Sequence, residues 1–547
     1  MTIIACVPVS RSIRKCTSSK TVATPTEVWT PKFNPWLVAV VVAMAAFMEV
    51  LDTSIANVAL PHMAGNLGAG NDESTWVLTS YLVSNAIVLP ISGWLATSLG
   101  RKRFFMLCIF LFTLSSLLCG AAPSLGALIL FRILQGAGGG GLQPMAQAIL
   151  ADTFPPQKRG LAFALYGITA IMAPTIGPTL GGWITDNYSW RWIFYINLPV
   201  GILTLFLVLR MVEDPPYLAR ARSAGVRVDY IGIALLTLGI GALQVLLDKG
   251  QEDDWFGSHF ILTLAIVSAV CLVALVFWEW RQKAPIIDVR MFTKFNFALS
   301  SLMMFFLGVL LFSSLVMMPQ FLQTLMGYTA ESAGLVLSGA GFVILLQMPV
   351  VGQLTTKVPT KYIMAFGWMC LALGMYYSTK RMDLLISFQS AARLRVIQSF
   401  GLGFLFVPIS LAAYIGVPAE KGNGVAGLVN FMRNIGSSVG TSMVTTMLAR
   451  RAQFHQTVLT YHATNYDPAF RSQLQGLTNQ LVHVGATPPD AQVGAYARIY
   501  QNVLVQAQTL AYIDTYMLLA IAASVMFFLT FLVKRNDPGG GGEVAVG

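Results

Sequence analysis

The sequence predicts an all-α polytopic membrane protein with about fourteen spans, and three observations carry that prediction. Of its 547 residues, 55% are hydrophobic and only 11% charged, with a net charge of +11. Soluble proteins carry roughly 25% charged residues, and here the mean hydropathy is +0.66. Apolar runs of about 20 residues recur along the chain, each long enough to cross a hydrocarbon core of about 30 Å. The surplus of Lys and Arg sits in short connections between those runs. That placement is a topology signal, and it argues against a nucleic-acid partner, whose footprint would be a continuous basic face.

The spans fall at approximately 37–60, 76–98, 104–122, 125–150, 161–182, 192–211, 230–247, 258–279, 297–318, 332–353, 362–379, 390–413, 424–447 and 511–533. Basic connections lie on one side: Arg101-Lys102-Arg103, Lys158-Arg159, Arg220/Arg222/Arg227, Arg281/Lys283/Arg290/Lys294, Lys357/Lys361 and Lys534/Arg535. The alternate connections are poorer. Residues 62–75 hold no Lys or Arg, and 248–256 are acidic, with Lys380-Arg381 the exception. Both termini are therefore expected in the cytoplasm. Residues 1–35, with Arg11, Arg14, Lys15 and Lys20, read as a basic cytoplasmic tail. No apolar segment of signal-peptide type precedes residue 36. Trp36, Trp76, Trp94, Trp183, Trp190, Trp255, Trp278 and Trp280 sit near span ends, as an interfacial belt facing lipid headgroups requires. The cysteines at 6, 16, 108, 119, 271 and 370 have neither metal-ligand spacing nor a disulfide pattern.

Two halves repeat. Span 4 carries Arg132-Ile-Leu-Gln135, glycines and Pro144; span 12 carries Arg395-Val-Ile-Gln398, Gly401, Gly403 and Pro408. Transporters built from two related helical bundles show such repeats. The expected organisation is a tail (1–35), a first six-helix bundle (36–211), a linker with two inserted helices (212–290), a second six-helix bundle (291–534) and a flexible tail (535–547). Within the second bundle, residues 448–510 form a long polar loop outside the membrane, and loops of that length are frequently functional.

Polar side chains inside apolar spans are the strongest functional signal. A carboxylate at mid-bilayer costs about 2.5–3.5 kcal/mol on insertion scales, so it must face protein or water. Glu49, Asp52, Thr53 and Asn57 share one face of span 1. Asp52 and Arg132 sit at matching depth and can pair. The bland reading is a structural buried ion pair; the functional one is a carboxylate whose protonation responds to small movements. Asn430, Arg433 and Asn434 of span 13 are read either as substrate cavity or as structural pairing, and Gln135 and Asn57 join the cavity set. Arg395 lies shallower, where its long side chain can reach the interface. In span 5, Gly177, Pro178, Gly181 and Gly182 combine close helix approach with proline kinking. Gly93 and Gly100-Arg101-Lys102-Arg103 form the connection between spans 2 and 3, and Asp152 stands at the cytoplasmic end of span 4.

Two motif matches fail on context. Gly136-Ala-Gly138-Gly-Gly-Gly141 fits a dinucleotide pattern but lies inside an apolar span. Gly436-Ser-Ser438-Val-Gly440 fits an esterase elbow but lacks the strand–turn–helix setting. No Walker A or zincin pattern occurs. No cofactor, metal or ATP machinery is expected, so uphill work would draw on an ion gradient, worth about 2.3 kcal/mol per charge per 100 mV.

Leu51-Asp-Thr-Ser-Ile-Ala-Asn-Val-Ala-Leu-Pro61 resembles the span-1 signature of the fourteen-helix drug:proton antiporters, a branch of the major facilitator superfamily. Arg132-x-x-Gln135-Gly136, Gly177-Pro178-x-x-Gly181-Gly182, Trp190-Arg-Trp-Ile-Phe-Tyr-Ile-Asn-Leu-Pro199-Val-Gly201 and Arg433-Asn-Ile-Gly-Ser-Ser-Val-Gly440 are similar to further motifs of that branch, over about residues 36–535. The chain departs from it at Thr97, where an acid is usual, and at Ala164 and Ala173, where glycines are usual. The resemblance implies a proton-coupled exporter of hydrophobic, cationic or weakly acidic toxic compounds. Asp52 and Arg132, with Glu49, would be tied to proton coupling. It also implies a bacterial inner-membrane location, and work with a periplasmic adaptor protein and an outer-membrane channel. A metabolite or nutrient carrier of the same fold, and a non-transporting membrane sensor or scaffold, are the other readings. No enzymatic activity is expected.

Overall fold

The computed structural model describes residues 32–215, 228–283, 285–464 and 466–534. Among them every regular element is helical. The helices are α1 (Pro35–Leu67), α2 (Trp76–Leu99), α3 (Arg101–Gly120), α4 (Leu125–Gly139), α5 (Leu142–Thr153), α6 (Arg159–Asn187), α7 (Asn197–Met211), α8 (Tyr230–Lys249), α9 (His259–Arg281), α10 (Phe295–Thr324), α11 (Ala330–Leu354), α12 (Thr360–Arg381), α13 (Phe388–Ala413), α14 (Gly422–His462), α15 (Pro468–His483) and α16 (Pro488–Thr530). Shorter turns join them. In lipid every backbone amide must be satisfied within its own segment, which leaves helices as the solution for apolar runs of this length. Starts are marked by polar caps: Ser124 accepts from Ala127 N, Ser387 from Ser390 N and Asp229 from Gly232 N. Residues 1–31 of the basic tail, Arg220/Arg222/Arg227 and the 535–547 tail with Arg535 lie outside the described residues.

Among the described residues, twelve helical segments are long and apolar enough to cross a membrane, α4 and α5 counting as one. Helices α12 and α14 have the length but a less apolar composition. With them the described residues hold fourteen candidate crossings, which divide as two groups of six and the added pair α8–α9.

Three features depart from the expected layout. Span 4 is broken in two at Gly140 and Gly141. A Cβ on Gly138 would meet Phe112 N of α3 at 2.7 Å, and one on Gly140 would meet Asn85 O of α2 at 2.7 Å. The glycine run therefore exists so that span 4 can lie against two backbones. The 448–510 segment is not a loop. Helices α14 and α16 run on for 41 and 43 residues with α15 between them. At 1.5 Å per residue each long helix is on the order of 60 Å, about twice the hydrocarbon thickness. Arg395 does not reach an interface; it is 2% exposed inside the second group.

Helix α6 is the seam. Gly177 and Gly181 bring it onto Ser54 and Ile55 of α1. Its other side lies on α11, where Gly341 meets Thr175 and Gly352 meets Leu161. Gly182 has open space and plays no part in this packing. A second seam joins α2 to α14, where a Cβ on Gly93 would sit 3.0 Å from Gly424.

Gly138→Val should therefore lower stability by about 1–3 kcal/mol through overpacking, whereas Gly182→Ala should be neutral. Thermal unfolding of the two purified variants in detergent checks the contrast, and equal behaviour would remove the packing explanation for the glycine run.

Candidate functional site

Two carboxylate clusters lie one helical turn apart on α1. Both Glu49 and Asp52 are enclosed by protein, at 4% and 2% exposure.

Asp52 is held within the first six-helix group. Its Oδ2 accepts from Arg132 Nη1 at 2.7 Å, and neither side chain reaches solvent. Its Oδ1 accepts from Gln135 Nε2 at 2.9 Å and Asn197 Nδ2 at 2.7 Å. Arg132 also donates from Nε to Val77 O at 3.1 Å and from Nη1 to Gln135 Oε1 at 2.7 Å. Its guanidinium lies 4.2 Å from the Tyr81 ring centroid, a cation–π distance. Asn197 donates in turn to Ser116 Oγ at 3.0 Å. Gln135, expected to line a cavity, is wholly buried here and bonded to Asp52 and Arg132. Being three residues from Arg132 on one helix, it shares Arg132's face.

Glu49 is held differently. Tyr81 Oη and Asn85 Nδ2 donate to Oε1 at 3.1 and 3.0 Å, and Gln143 Nε2 donates to Oε2 at 2.5 Å. All three donors are neutral. Gln143 then leads across the molecule: its Oε1 accepts from Arg433 Nη2 of α14 and from Tyr166 Oη of α6 at 3.3 Å. The single Tyr166 hydroxyl proton serves either that oxygen or Asn430 Oδ1, 3.2 Å away, and Asn430 Nδ2 donates to Gln147 Oε1 at 2.5 Å. Arg433 lies 5.6 Å from the Phe406 ring centroid. So Glu49, Asn430 and Arg433 meet in one network joining the two groups of helices, while Asp52, Arg132 and Gln135 form another inside one group. Asn57 is exposed, farther along α1, and belongs to neither. Asn434 is half-buried, one residue beyond Arg433.

The sequence reading missed Gln143, Tyr81, Asn85, Tyr166 and Gln147. Gln143 and Gln147 stand in an apolar span and were visible by that criterion. The tyrosines carry no such mark, since an interfacial or core role accounts equally well for a Tyr in a span. Asn197 lay within a quoted motif without an assigned role.

The connection between α2 and α3 is built by charge and one glycine. Gly100 has φ +92, a region that penalises any side chain. Arg101 Nη1 pairs with Asp152 Oδ2 at 2.7 Å and is buried. Lys102 donates from Nζ to Leu209 O and from its amide to Asp214 Oδ1, both at 2.7 Å. Arg103 is exposed. With Thr97 bonded to Gly93 O at 2.9 Å, Asp152 is the acid that meets Arg101.

The sequence model of the Major Facilitator Superfamily matches residues 42–441. The chain belongs to this superfamily. Among its relatives is the multidrug export protein EmrB of Haemophilus influenzae, 38% identical over 84% of this chain and 88% of that one. The multidrug export protein EmrB of Escherichia coli K12 is 37% identical over 81% of this chain and 86% of that one. Among solved structures, the proton:xylose symporter XylE shares the fold, with a TM-score of 0.59 at 13% identity over 92% of this chain and 96% of that one. As a major facilitator protein, the chain is a multi-pass membrane protein whose clusters lie where its helices pack, enclosed from lipid.

Breaking the Asp52–Arg132 pair leaves an uncompensated buried charge, which typically costs about 3–5 kcal/mol. Asp52→Asn should lower stability by that order. The double variant Asp52→Asn/Arg132→Met should recover most of the loss in a double-mutant cycle read by unfolding in detergent. An undiminished single variant would show that the pair contributes nothing net.

Proposed function

We propose that this protein is a proton-coupled exporter of hydrophobic, cationic or weakly acidic toxic compounds, working by alternating access of two six-helix bundles, residues 36–211 and 291–534. The relatives named above, multidrug export proteins, support the export reading. The observation that carries the coupling is the chain Glu49–Gln143–Arg433, which ties a carboxylate of one bundle to a cation of the other.

Hydrogen-bond chemistry explains how that chain responds to a proton. Gln143 Oε1 is occupied as an acceptor by Arg433, which can only donate, so the Gln143 amide nitrogen faces and donates to Glu49. A proton on the facing carboxylate oxygen replaces an acceptor with a donor. The link to Gln143 then breaks, or the amide turns and releases Arg433. Either change loosens the junction between bundles. Asp52, satisfied by Arg132, Gln135 and Asn197, sets the position of α1 and is the second titratable group. Substrate binds beside α1, α4–α6 and α14, near Asn57, Asn430, Arg433 and Asn434. The chain performs no covalent chemistry in this reading.

The orientation follows from charge: the Arg101 connection and both termini face the cytoplasm of a bacterial inner membrane. The projection made by α14, α15 and α16 then lies in the periplasm, where it offers a helical surface to an adaptor protein leading to an outer-membrane channel.

The test uses inverted membrane vesicles holding a pH gradient, with a fluorescent reporter of its collapse. Cationic dyes are added first and weak-acid uncouplers second, with protein-free vesicles as the reference because uncouplers dissipate the gradient unaided. Protein-dependent proton release is expected, absent in Asp52→Asn and Glu49→Gln. In Gln143→Leu, which keeps both carboxylates, release should slow by about tenfold for one lost charge-assisted bond. Release at the parental rate in both carboxylate variants overturns the coupling assignment. Release with no compound overturns the export reading.

A further inference from the structure

The repeat between the two halves extends from sequence to side-chain geometry, and it leaves one charge unmatched. Arg395 and Gln398 of α13 repeat Arg132 and Gln135 of α4. Ser378 of α12 takes the part of Ser116 of α3: it accepts from Gln398 Nε2 at 2.8 Å, as Ser116 accepts from Asn197. In the first half Arg132 Nη1 meets Asp52 Oδ2 at 2.7 Å. In the second, Arg395 Nη1 meets Ser314 Oγ of α10 at 2.9 Å, and Gln398 Oε1 only at 3.5 Å. Ser314 stands in the place of Asp52.

A serine is no substitute for a carboxylate here. Its hydroxyl donates its own proton to Leu311 O at 2.9 Å, so it offers Arg395 a neutral lone pair and no charge. Where Arg132 Nε donates to Val77 O, Arg395 Nε has no partner among the described residues. Its titratable neighbour on α16 is Tyr516, a phenol that is neutral at ordinary pH. No described Asp or Glu forms an ion pair with it. A guanidinium keeps its charge even when enclosed, and charges within a membrane persist where something pairs with them.

We propose that Arg395, with Gln398 and Ser314, forms a site for a monovalent anion that supplies the counter-charge given by Asp52 in the other half. The chemistry asked of the ligand is one negative charge able to accept from a guanidinium. A small inorganic anion such as chloride meets it, and so does the carboxylate headgroup of an amphiphile. The proposal is independent of the direction of transport and of proton coupling.

The experiment measures thermal unfolding of the purified full-length protein by intrinsic tryptophan fluorescence. Chloride is titrated against gluconate, which is too bulky and hydrated for an enclosed site, and decanoate is added in a separate arm. Wild type and Ser314→Asp are compared, since the latter restores the aspartate–arginine pair and cancels general salt effects. Chloride should raise the wild-type Tm by about 2 °C or more and leave Ser314→Asp unmoved. A response to decanoate alone, again confined to wild type, assigns the site to an anionic headgroup. A wild type indifferent to both anions, or a response equal in the two proteins, overturns the proposal. Should Ser314→Asp fail to fold, Arg395→Gln is read in the same way, because it removes the charge that holds the anion.

Discussion

The helix arrangement around Asp52 and Arg132 answers to one constraint: a charge inside an apolar bundle must be met by protein. Asp52 uses both oxygens, and its three donors come from two helices, α4 twice and α7 once, with Asn197 donating also to Ser116 of α3. The position of α1 is therefore defined by polar contacts in a region where apolar packing alone would let it slide. Glycine contacts set the other side of the same helix, where Gly177 and Gly181 of α6 close on Ser54 and Ile55. Between them, a charged face and a small-residue face leave α1 little freedom except to move with α6.

That coupling matters because α6 is also the seam to α11. The same helix thus packs through small residues against α1 on one side and against α11 on the other. Small-residue contacts suit such a seam. They bring backbones close, and they hold no long side chains that must be repacked when the surfaces slide. The inserted helix α8 adds a polar tie at the end of the molecule that carries the long helices. Asp248 bonds to Thr79 of α2, and Gln244 Nε2 donates to Ser438 Oγ of α14 at 2.8 Å. The serine that matched an esterase pattern is thus a partner of Gln244 between helices.

Much of the candidate site was legible because the membrane makes polar residues conspicuous. Glu49, Asp52, Arg132, Asn430 and Arg433 stood out against apolar runs, and the depth match of Asp52 with Arg132 needed only residue counting. The bond from Gln135 to Asp52 was not legible, because counting along one helix does not say which side of the bundle that face meets. Tyr81 and Tyr166 were invisible for the reason that aromatic residues are common in spans. Arg395 was placed too shallow because span 12 was started at 390, two residues late; from Phe388, Arg395 lies seven residues into its helix, as Arg132 does from Leu125. The 448–510 segment was read as a loop because its polarity broke the apolar run. Helical continuation outside the membrane needs no apolar face wherever α15 and the neighbouring long helix supply the contacts.

By itself the sequence determined that this chain crosses the membrane many times as helices, and which charges must find partners inside. Those conclusions follow from hydropathy and desolvation, which act residue by residue. Only the tertiary structure decided which partners they find. It put Asp52 into a pair within one bundle and Glu49 into a network between bundles, although the two stand three residues apart on one helix. It also placed Arg395 beside Ser314 where Arg132 has Asp52. Partner choice depends on how helices distant in sequence are packed, through contacts of a few ångströms that no local pattern encodes.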